Sequence, residues 1–89
     1  MWKVSYMERV YVGVTSDFDP TGYMQPRVII WSDGRAFQIE TVRAFRPAGD
    51  SRLLDCYTVV IRGQEKHLYF ERAARESFTG RLGRWYVET

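Results

Sequence analysis

Few residues of this chain are of the types that carry out catalytic or metal chemistry. The sequence contains one histidine, His67, and one cysteine, Cys56. A zinc site needs about four ligands, usually in paired spacings, and the sequence does not supply the partners. Nucleophilic catalysis needs a base beside a serine, threonine or cysteine and a third group that orients the base, and no such pattern is present. We therefore expect no catalytic residue, no metal site and no cofactor, and we expect that the protein is not an enzyme.

The segment at residues 17–22 matches the first half of a calcium-binding loop. Acids stand at positions one and three, a hydroxyl residue at position five and a glycine at position six. Position twelve is Val28, however, where such loops carry a glutamate that binds calcium through both oxygens. The sequence Asp-Pro-Thr-Gly at 19–22 has the residue preferences of a type I turn, and we interpret it as a turn.

Aromatic and arginine side chains are the stronger candidates for function. The chain has five phenylalanines, six tyrosines and three tryptophans. On a β-surface such rings can stack on bases while arginines hold phosphates, or they can line a groove for a peptide. The alternative is that they pack as a second core, which for Trp31 would be at one end of the sheet. Strand alternation places one set on the outer face as a candidate binding face: Tyr11, Arg27, Trp31, His67, Tyr69, Arg84 and Tyr86.

Two strand-turn-strand segments must position these side chains, one at residues 27–40 and one at residues 55–72. The first has Asp33-Gly34 at its centre, which suits a type I′ turn, and the second has Gly63-Gln64, which suits a type II′ turn. A two-residue turn fixes the register, so the cross-strand partners follow. The predicted pairs are Arg27–Glu40, Val28–Ile39, Ile30–Phe37, Asp55–Arg72, Tyr57–Phe70, Val59–Leu68 and Ile61–Lys66.

This register assigns the faces of both hairpins. In the first, Val28, Ile30, Phe37 and Ile39 face the core, while Ile29 and Trp31 face outward. In the second, the inner residues are Tyr57, Val59, Ile61, Leu68 and Phe70, and the outer set includes Cys56, Thr58, His67 and Tyr69.

The remaining segments also read as short strands and loops. Residues 9–18 alternate with period two, which predicts a strand. Beyond Glu40 the alternation breaks, because Val42 and Phe45 do not share a parity, and this indicates a bulge or a barrel corner. Residues 46–54 and 73–83 are predicted loops, and residues 84–88 a closing strand with Trp85 and Val87 inward.

Together these segments predict an all-β fold. We expect residues 1–89 to form one small domain, a strongly bent sheet or barrel of six antiparallel strands of the SH3-like kind, with an OB-like barrel as the alternative. The order is a meander in which the last strand returns to pair near the first. Met7 directly precedes the first strand, so residues 1–6 are either part of the domain or an extension upstream of a start at Met7.

Composition restricts the setting more than the function. A net charge of +2 is weak evidence for a polyanionic partner. The single cysteine excludes an intramolecular disulfide, which favours the cytoplasm. No apolar run approaches the roughly 18 residues of a membrane helix, so we expect no membrane partner.

A wider pattern runs through these segments: the run from Pro26 to Ile39 with Trp31 before the turn, Val42, the strand from Tyr57 to Ile61, Leu68-Tyr69 with Glu71, and Gly83-Arg84-Trp85-Tyr86-Val87. This pattern resembles a small bacterial domain of unknown function, some members of which occur beside error-prone, translesion DNA polymerases. Family members often carry a tryptophan where this chain has Phe45. The resemblance implies a cytoplasmic accessory module, with DNA metabolism as a context, and it transfers no functional residues.

We therefore expect a binding module, present as a monomer or as a homodimer formed through a sheet edge. The first hypothesis is a protein-interaction domain with a protein partner. The alternative is an auxiliary nucleic-acid-binding domain that uses the outer aromatic and arginine face, with arginine-rich loops around Arg46 and Arg75 gripping phosphates. An enzyme with an unrecognised site is the third hypothesis.

Overall fold

The computed structural model describes residues 8–49, 53–72 and 83–88. These residues form one sheet of seven antiparallel strands, in the order β3-β2-β1-β7-β6-β5-β4. Within these ranges there is no helix, and thus none that could cross a membrane. The strands are β1 Arg9–Phe18, β2 Met24–Ile30, β3 Ala36–Gln38, β4 Thr41–Pro47, β5 Leu54–Ile61, β6 Gln64–Arg72 and β7 Gly83–Glu88.

Two meanders make up the sheet, and β7 joins them by pairing with β1. Strands β1, β2 and β3 follow one another in space, as do β4 to β7. The β1–β7 ladder runs from Arg9 opposite Glu88 to Val12 opposite Trp85. The prediction that the last strand returns to the first is confirmed.

The link between β3 and β4 curls this sheet into a half-barrel. The two strands lie at opposite edges of the sheet, yet only Ile39 and Glu40 separate them. The Ile39 N–H donates to the Arg27 carbonyl of β2 and the Glu40 N–H to the Val60 carbonyl of β5, both at 2.8 Å. Since one residue spans at most about 3.6 Å, the edges must approach each other closely.

The same link corrects the predicted strand count from six to seven. Sequence reasoning treated the chain on both sides of Glu40 as one strand that bends beyond Glu40. The structure divides it, because Ile39 still bonds to β2 whereas Glu40 already bonds to β5. The predicted break in alternation is confirmed as a bulge between Val42 and Ala44 in the β4–β5 ladder.

The first hairpin has a different turn from the predicted one. The Trp31 N–H donates to the Arg35 carbonyl at 2.8 Å and the Gly34 N–H to the Trp31 carbonyl at 2.9 Å, and Gly34 has φ 92°. This is the longer turn that ends in a left-handed glycine, and it pairs Ile29 with Phe37.

The predicted register is therefore wrong by one residue, which reverses the faces of β2. Ile29 is 3 % exposed and belongs to the core, whereas Ile30 is 40 % exposed. The inward assignments of Phe37 and Ile39 are confirmed, because both belong to the core or pack against it.

In the second hairpin the predicted register is wrong by two residues, but the predicted faces are confirmed. Arg62 has φ 52° and Gly63 φ 74°, so they form a type I′ turn one residue earlier than predicted. The structure pairs Tyr57 with Leu68 and Val59 with Lys66. A shift of two keeps every side chain on its face, and Tyr57, Val59 and Leu68 are buried as expected.

An aromatic cluster fills one end of the concave side. Ring centroids lie 4.9 Å apart for Phe45–Tyr57, 5.3 Å for Tyr57–Trp85 and 4.7 Å for Phe70–Trp85. Trp85 and Val87 face inward, as predicted. The core residues are Ile29, Ile39, Tyr57, Val59, Leu68 and Trp85, with Val12, Val14, Met24, Phe37, Val42, Ile61, Phe70 and Val87 packed against them.

Two predicted charge pairs have different outcomes. Asp55 and Arg72 form an ion pair with 2.5 Å between Oδ2 and an Nη, although Asp55 stands opposite Phe70 in the ladder. The predicted Arg27–Glu40 pair is wrong. Arg27 lies at a bulge of β2 and bonds through Nε to Asp17 at 3.0 Å, while Glu40 accepts the Gly63 N–H at 3.1 Å. Residues 1–6 and most of the predicted loop at 73–83 lie outside the described residues.

Gly83 is the position where a methyl group should cost most. A Cβ there would lie 2.5 Å from the Glu71 carbonyl oxygen and 2.6 Å from the Phe70 ring. We expect Gly83→Ala to lower the free energy of unfolding by about 1–3 kcal/mol, the usual cost of overpacking. Gly13→Ala is the control, because its Cβ would meet Ile30 at an ordinary 3.4 Å. Equal urea midpoints for the two variants would contradict the close packing of β7 on β6.

Candidate functional site

A row of three tyrosines crosses the convex face of the sheet. Tyr11 stands opposite Tyr86 between β1 and β7, and Tyr86 opposite Tyr69 between β7 and β6. The Tyr11 and Tyr86 rings meet edge to face with centroids 5.6 Å apart, and Tyr69 stacks on Tyr86 at 5.0 Å and 13°. Tyr86 is only 1 % exposed. We call Tyr11, Tyr86 and Tyr69 the outer tyrosine row.

Two arginines and one glutamate complete the outer tyrosine row. The Arg84 guanidinium lies 4.2 Å from the Tyr11 ring centre and that of Arg9 lies 4.6 Å from the Tyr86 ring centre. The Glu71 carboxylate accepts from Arg84 at 2.8 Å, from Arg9 at 3.2 Å and from the Tyr11 hydroxyl at 3.3 Å. The rings and the arginines of this row therefore already contact one another, and the buried ring of Tyr86 is not available to stack on a nucleic-acid base.

Burial changes the titration of the groups beside this row. Desolvation, with Cys56 and Glu88 adding to it, raises the pKa of Tyr69 to about 12. Burial also raises the pKa of the Cys56 thiol, so the thiol stays protonated near neutral pH. His67 Nδ1 lies 3.7 Å from Cys56 Sγ and 3.3 Å from Thr58 Oγ1. A cysteine nucleophile needs a lowered pKa, so this contact does not form an activated cysteine–histidine pair.

The raised tyrosine pKa predicts a loss of stability in alkali. Between pH 10 and about 12 the unfolded chain releases a proton from Tyr69 that the folded chain retains, so stability falls as pH rises. Burial raises the pKa of Tyr57 and Tyr86 in the same direction. We expect Tyr69→Phe to flatten this fall, as measured by urea unfolding at several pH values. A variant whose stability falls as steeply as that of the wild type would contradict the buried environment of Tyr69.

The structure brings together only part of the predicted binding face. Tyr11, Tyr69, Tyr86 and Arg84 meet in the outer tyrosine row, and His67 stands two residues from Tyr69 on the same strand. Arg27 lies apart at the bulge of β2, beside Asp17.

Trp31 is on the opposite face from the predicted one. It lines a cavity on the concave side together with Ile29 and Phe37. The prediction that Ile29 and Trp31 face outward fails for the same one-residue register shift that reversed β2.

Three strand edges have no neighbouring strand in the described ranges. β3 and β4 are the terminal strands of the sheet and pair only with β2 and β5, respectively. β3 covers β2 only over residues 28–30, and the Arg27 carbonyl also accepts the Ile39 N–H, so in the first half of β2 residues 24–26 have no strand beyond β1. We call the space between this half of β2 and β4 the strand opening.

Hydrogen bonding shows which backbone groups point into the strand opening. The Ala48 N–H donates to the Leu54 carbonyl, and bonded positions recur every second residue of an antiparallel ladder, so Phe45 and Pro47 face away from β5. By the same reasoning from the bond of the Asp19 N–H to the Tyr23 carbonyl, Met24 and Pro26 face away from β1.

Both prolines therefore stand where a strand tolerates them. Proline has no N–H, so it fits at edge positions whose N–H would point away from the sheet. Sequence reasoning placed Pro47 in a loop and gave Pro26 no role. A proline inside an otherwise strand-like pattern was the available signal of an edge, and it was missed.

A cavity of about 630 Å³ lies in the strand opening. Residues of β2, β4, β5 and β6 line it, including the aromatic rings of Tyr57 and Phe70. Tyr23 and Phe45 also line it and are 67 % and 48 % exposed. The ion pair of Asp55 and Arg72 lies in its wall, with Asp55 only 4 % exposed. The site thus combines unpaired backbone groups, exposed aromatic rings and a fixed charge pair.

The donor set of the described residues indicates no metal centre. No group of three histidine, cysteine, aspartate or glutamate side chains comes together in that part of the chain. Asp19 instead holds the turn after β1, since its Oδ1 accepts the N–H groups of Thr21 and Tyr23 and the Thr21 hydroxyl. These bonds lower the pKa of Asp19.

Comparisons with known proteins give no relative for this chain: no family model, no curated protein and no solved structure matches it. The resemblance to the small bacterial domain stays a prediction.

Proposed function

We propose that the protein is a non-enzymatic interaction module that takes up an extended peptide of a protein partner in the strand opening. The observation that carries this proposal is that two strand edges, those of β2 and β4, border one cavity. An added strand gains affinity from its backbone hydrogen bonds, and pockets for alternate side chains supply specificity.

Backbone groups on both sides of the opening suit such a strand. On β4 the N–H and C=O of Phe45 and the C=O of Pro47 point into the opening, and on β2 those of Met24 do so, whereas the neighbouring Pro26 is buried. Every second side chain of the added strand would point toward the concave side. There the rings of Tyr57 and Phe70 offer apolar contacts.

The two prolines restrict what can pair at these edges. A complete edge is a template for any other strand, including that of a second copy. Pro26 and Pro47 each remove one donor, so the remaining pattern of donors and acceptors is irregular. Such an edge disfavours indiscriminate pairing and favours a partner whose own pattern fits.

A selection experiment with random peptides displayed on phage tests this proposal. We expect selected peptides to bind the wild type, and the amide protons of Met24 and Phe45 to become protected from exchange in the complex. Phe45→Pro should weaken binding by about tenfold, because it removes an inward donor of the opening. The fold should persist, since that N–H does not bond to β5.

Phe45→Ala is the matched control, because it removes the ring and keeps the N–H. If Phe45→Pro binds the selected peptides as well as Phe45→Ala does, strand addition at β4 is wrong. A dimer that forms without peptide and dissociates in Phe45→Pro would instead indicate a second copy of this chain as the occupant.

Nucleic-acid binding is the second candidate, and the outer tyrosine row favours it. Arg9 and Arg84 carry two positive charges against the one of Glu71, beside the partly exposed Tyr11. Against it, both arginines already contact a carboxylate and a ring. The first hypothesis is therefore preferred.

An amide-shift titration with a short single-stranded oligonucleotide at low and moderate salt separates the two candidates. Nucleic-acid binding predicts salt-sensitive shifts at Tyr11 and Arg84. It also predicts that Tyr69→Ala costs roughly 1–3 kcal/mol of binding free energy, the usual loss of a stacking ring. Unchanged spectra at low salt would contradict this candidate.

The finer assignments are proposals of the same kind. We propose that the curled sheet is a small barrel of the SH3-like type, with the OB-like type as the alternative. We also propose that the protein works in a bacterial cytoplasm. A single buried cysteine, Cys56, fits a reducing compartment.

A further inference from the structure

A second cavity, of about 490 Å³, shares no lining residue with the strand opening. Its volume lies within the usual range for small-molecule sites, about 300–1,000 Å³. Side chains of β2, β3, β5, β6 and β7 surround it, and most of the lining is apolar. Its apolar residues include Ile29, Trp31, Phe37, Val59, Leu68 and Val87.

Cationic side chains stand around this apolar lining. The guanidinium of Arg62 lies 5.1 Å and that of Arg35 lies 5.7 Å from the centre of the Phe37 ring, and Lys66 also lines the cavity. The two acidic lining residues are Glu65 and Glu88, and Glu65 is paired with Arg43 at 3.8 Å. Arg35 is paired with Asp33 at 2.6 Å, whereas the ion pairs of the described residues do not include Arg62.

Arg62 occupies its position at a conformational cost. Among the described residues it alone has a positive φ without being a glycine. Asparagine is the residue that a type I′ turn prefers before glycine, because it tolerates this backbone region. This turn carries arginine instead of the residue that its backbone conformation prefers, which points to a role for the Arg62 side chain outside the turn.

We propose that this cavity binds a small organic anion with an apolar body, such as a monomeric medium-chain carboxylate. The apolar body would contact Ile29, Val59 and Leu68, and the carboxylate would lie at the rim against the guanidiniums of Arg62 and Arg35. Arginine suits this role because its planar group can donate two parallel hydrogen bonds to a carboxylate. This site is independent of the peptide proposed for the strand opening.

Three ligands with the same ten-carbon chain test the proposal on the full-length protein. Decanoate carries the negative head group, decanol carries none and decyltrimethylammonium carries a positive one. The two ionic ligands are titrated below their micelle concentrations and decanol below its solubility limit, and amide and Trp31 indole shifts are followed. We expect decanoate to bind with shifts at Trp31, Phe37 and Val59, and the other two ligands to bind at least about tenfold more weakly.

Arg62→Asn is the decisive variant because it should not harm the fold. It installs the preferred turn residue, so the melting temperature should stay the same or rise, while the affinity for decanoate should fall about tenfold. Arg46→Asn removes an exposed arginine that does not line the cavity and should leave the affinity unchanged.

Three results would overturn the inference. The first is the absence of decanoate-induced shifts at the cavity residues of the wild type. The second is equal binding of decanoate by wild type and Arg62→Asn, and the third is equal binding of decanoate and decyltrimethylammonium by the wild type, since either would leave no role for the cations.

Discussion

Two adjacent backbone N–H groups, those of Ile39 and Glu40, donate to β2 and β5, which are the second strands from opposite edges of the same sheet. A flat sheet of seven strands cannot satisfy both bonds, because β2 and β5 are four strand spacings apart and would be separated by roughly 19 Å at the usual spacing of about 4.8 Å. The sheet therefore curls, and the concave side that results is where the core residues meet. The same crossing ends β3 after three residues, which leaves the first half of β2 uncovered. The strand opening is thus a consequence of how the chain closes the sheet.

The convex side is held by a second layer of contacts, at the place where the two meanders join. β1 and β7 are far apart in sequence, so no turn helps to align them. Across this seam Tyr11 meets Tyr86, Arg84 covers Tyr11, and Arg9 covers Tyr86. Glu71 of β6 then bonds to both arginines. A small domain has little core, so burying aromatic rings on both faces adds apolar area that one face alone would not supply. The outer tyrosine row thus has a structural role, which explains why most of its aromatic and charged residues are present without invoking a ligand.

How far the sequence could predict this structure depended on the size of each register error. The type I′ turn at Arg62-Gly63 was placed one residue late, which moved every partner by two and left the faces of β5 and β6 correct. At Gly34 the longer turn moved the partners by one, and so Ile29 and Trp31 were assigned to the wrong side. Alternation and turn residues predict pairing only between strands that are close in sequence. The pairing of β1 with β7 could therefore be predicted only as a topology, without a register, and the tyrosine contacts across it could not be predicted. The outer tyrosines could be predicted because the alternation of side chains along one strand is a local property. The strand opening could not be predicted, because it depends on which strand edges stay unpaired, a property of the whole sheet.

The two cavities differ because the curled sheet presents different chemistry at each. At the strand opening the wall includes strand edges, so backbone donors and acceptors are available, and the buried carboxylate of Asp55 is paired with Arg72. In the second cavity Ile29, Val59 and Leu68 lie where β2, β5 and β6 are paired with strands on both sides. The backbone groups of these residues are used in the ladders, so their side chains are what they offer to a ligand. These side chains are apolar in the interior and cationic at the rim, with Arg62 held over Phe37 by a turn whose backbone suits another residue better. The first site offers strand-edge hydrogen bonds to an extended chain, while the second offers an apolar interior and cationic side chains to an apolar anion. The strand opening therefore suits a partner that is recognised through its backbone, and the second cavity suits a ligand that is recognised through its apolar tail and charged head group.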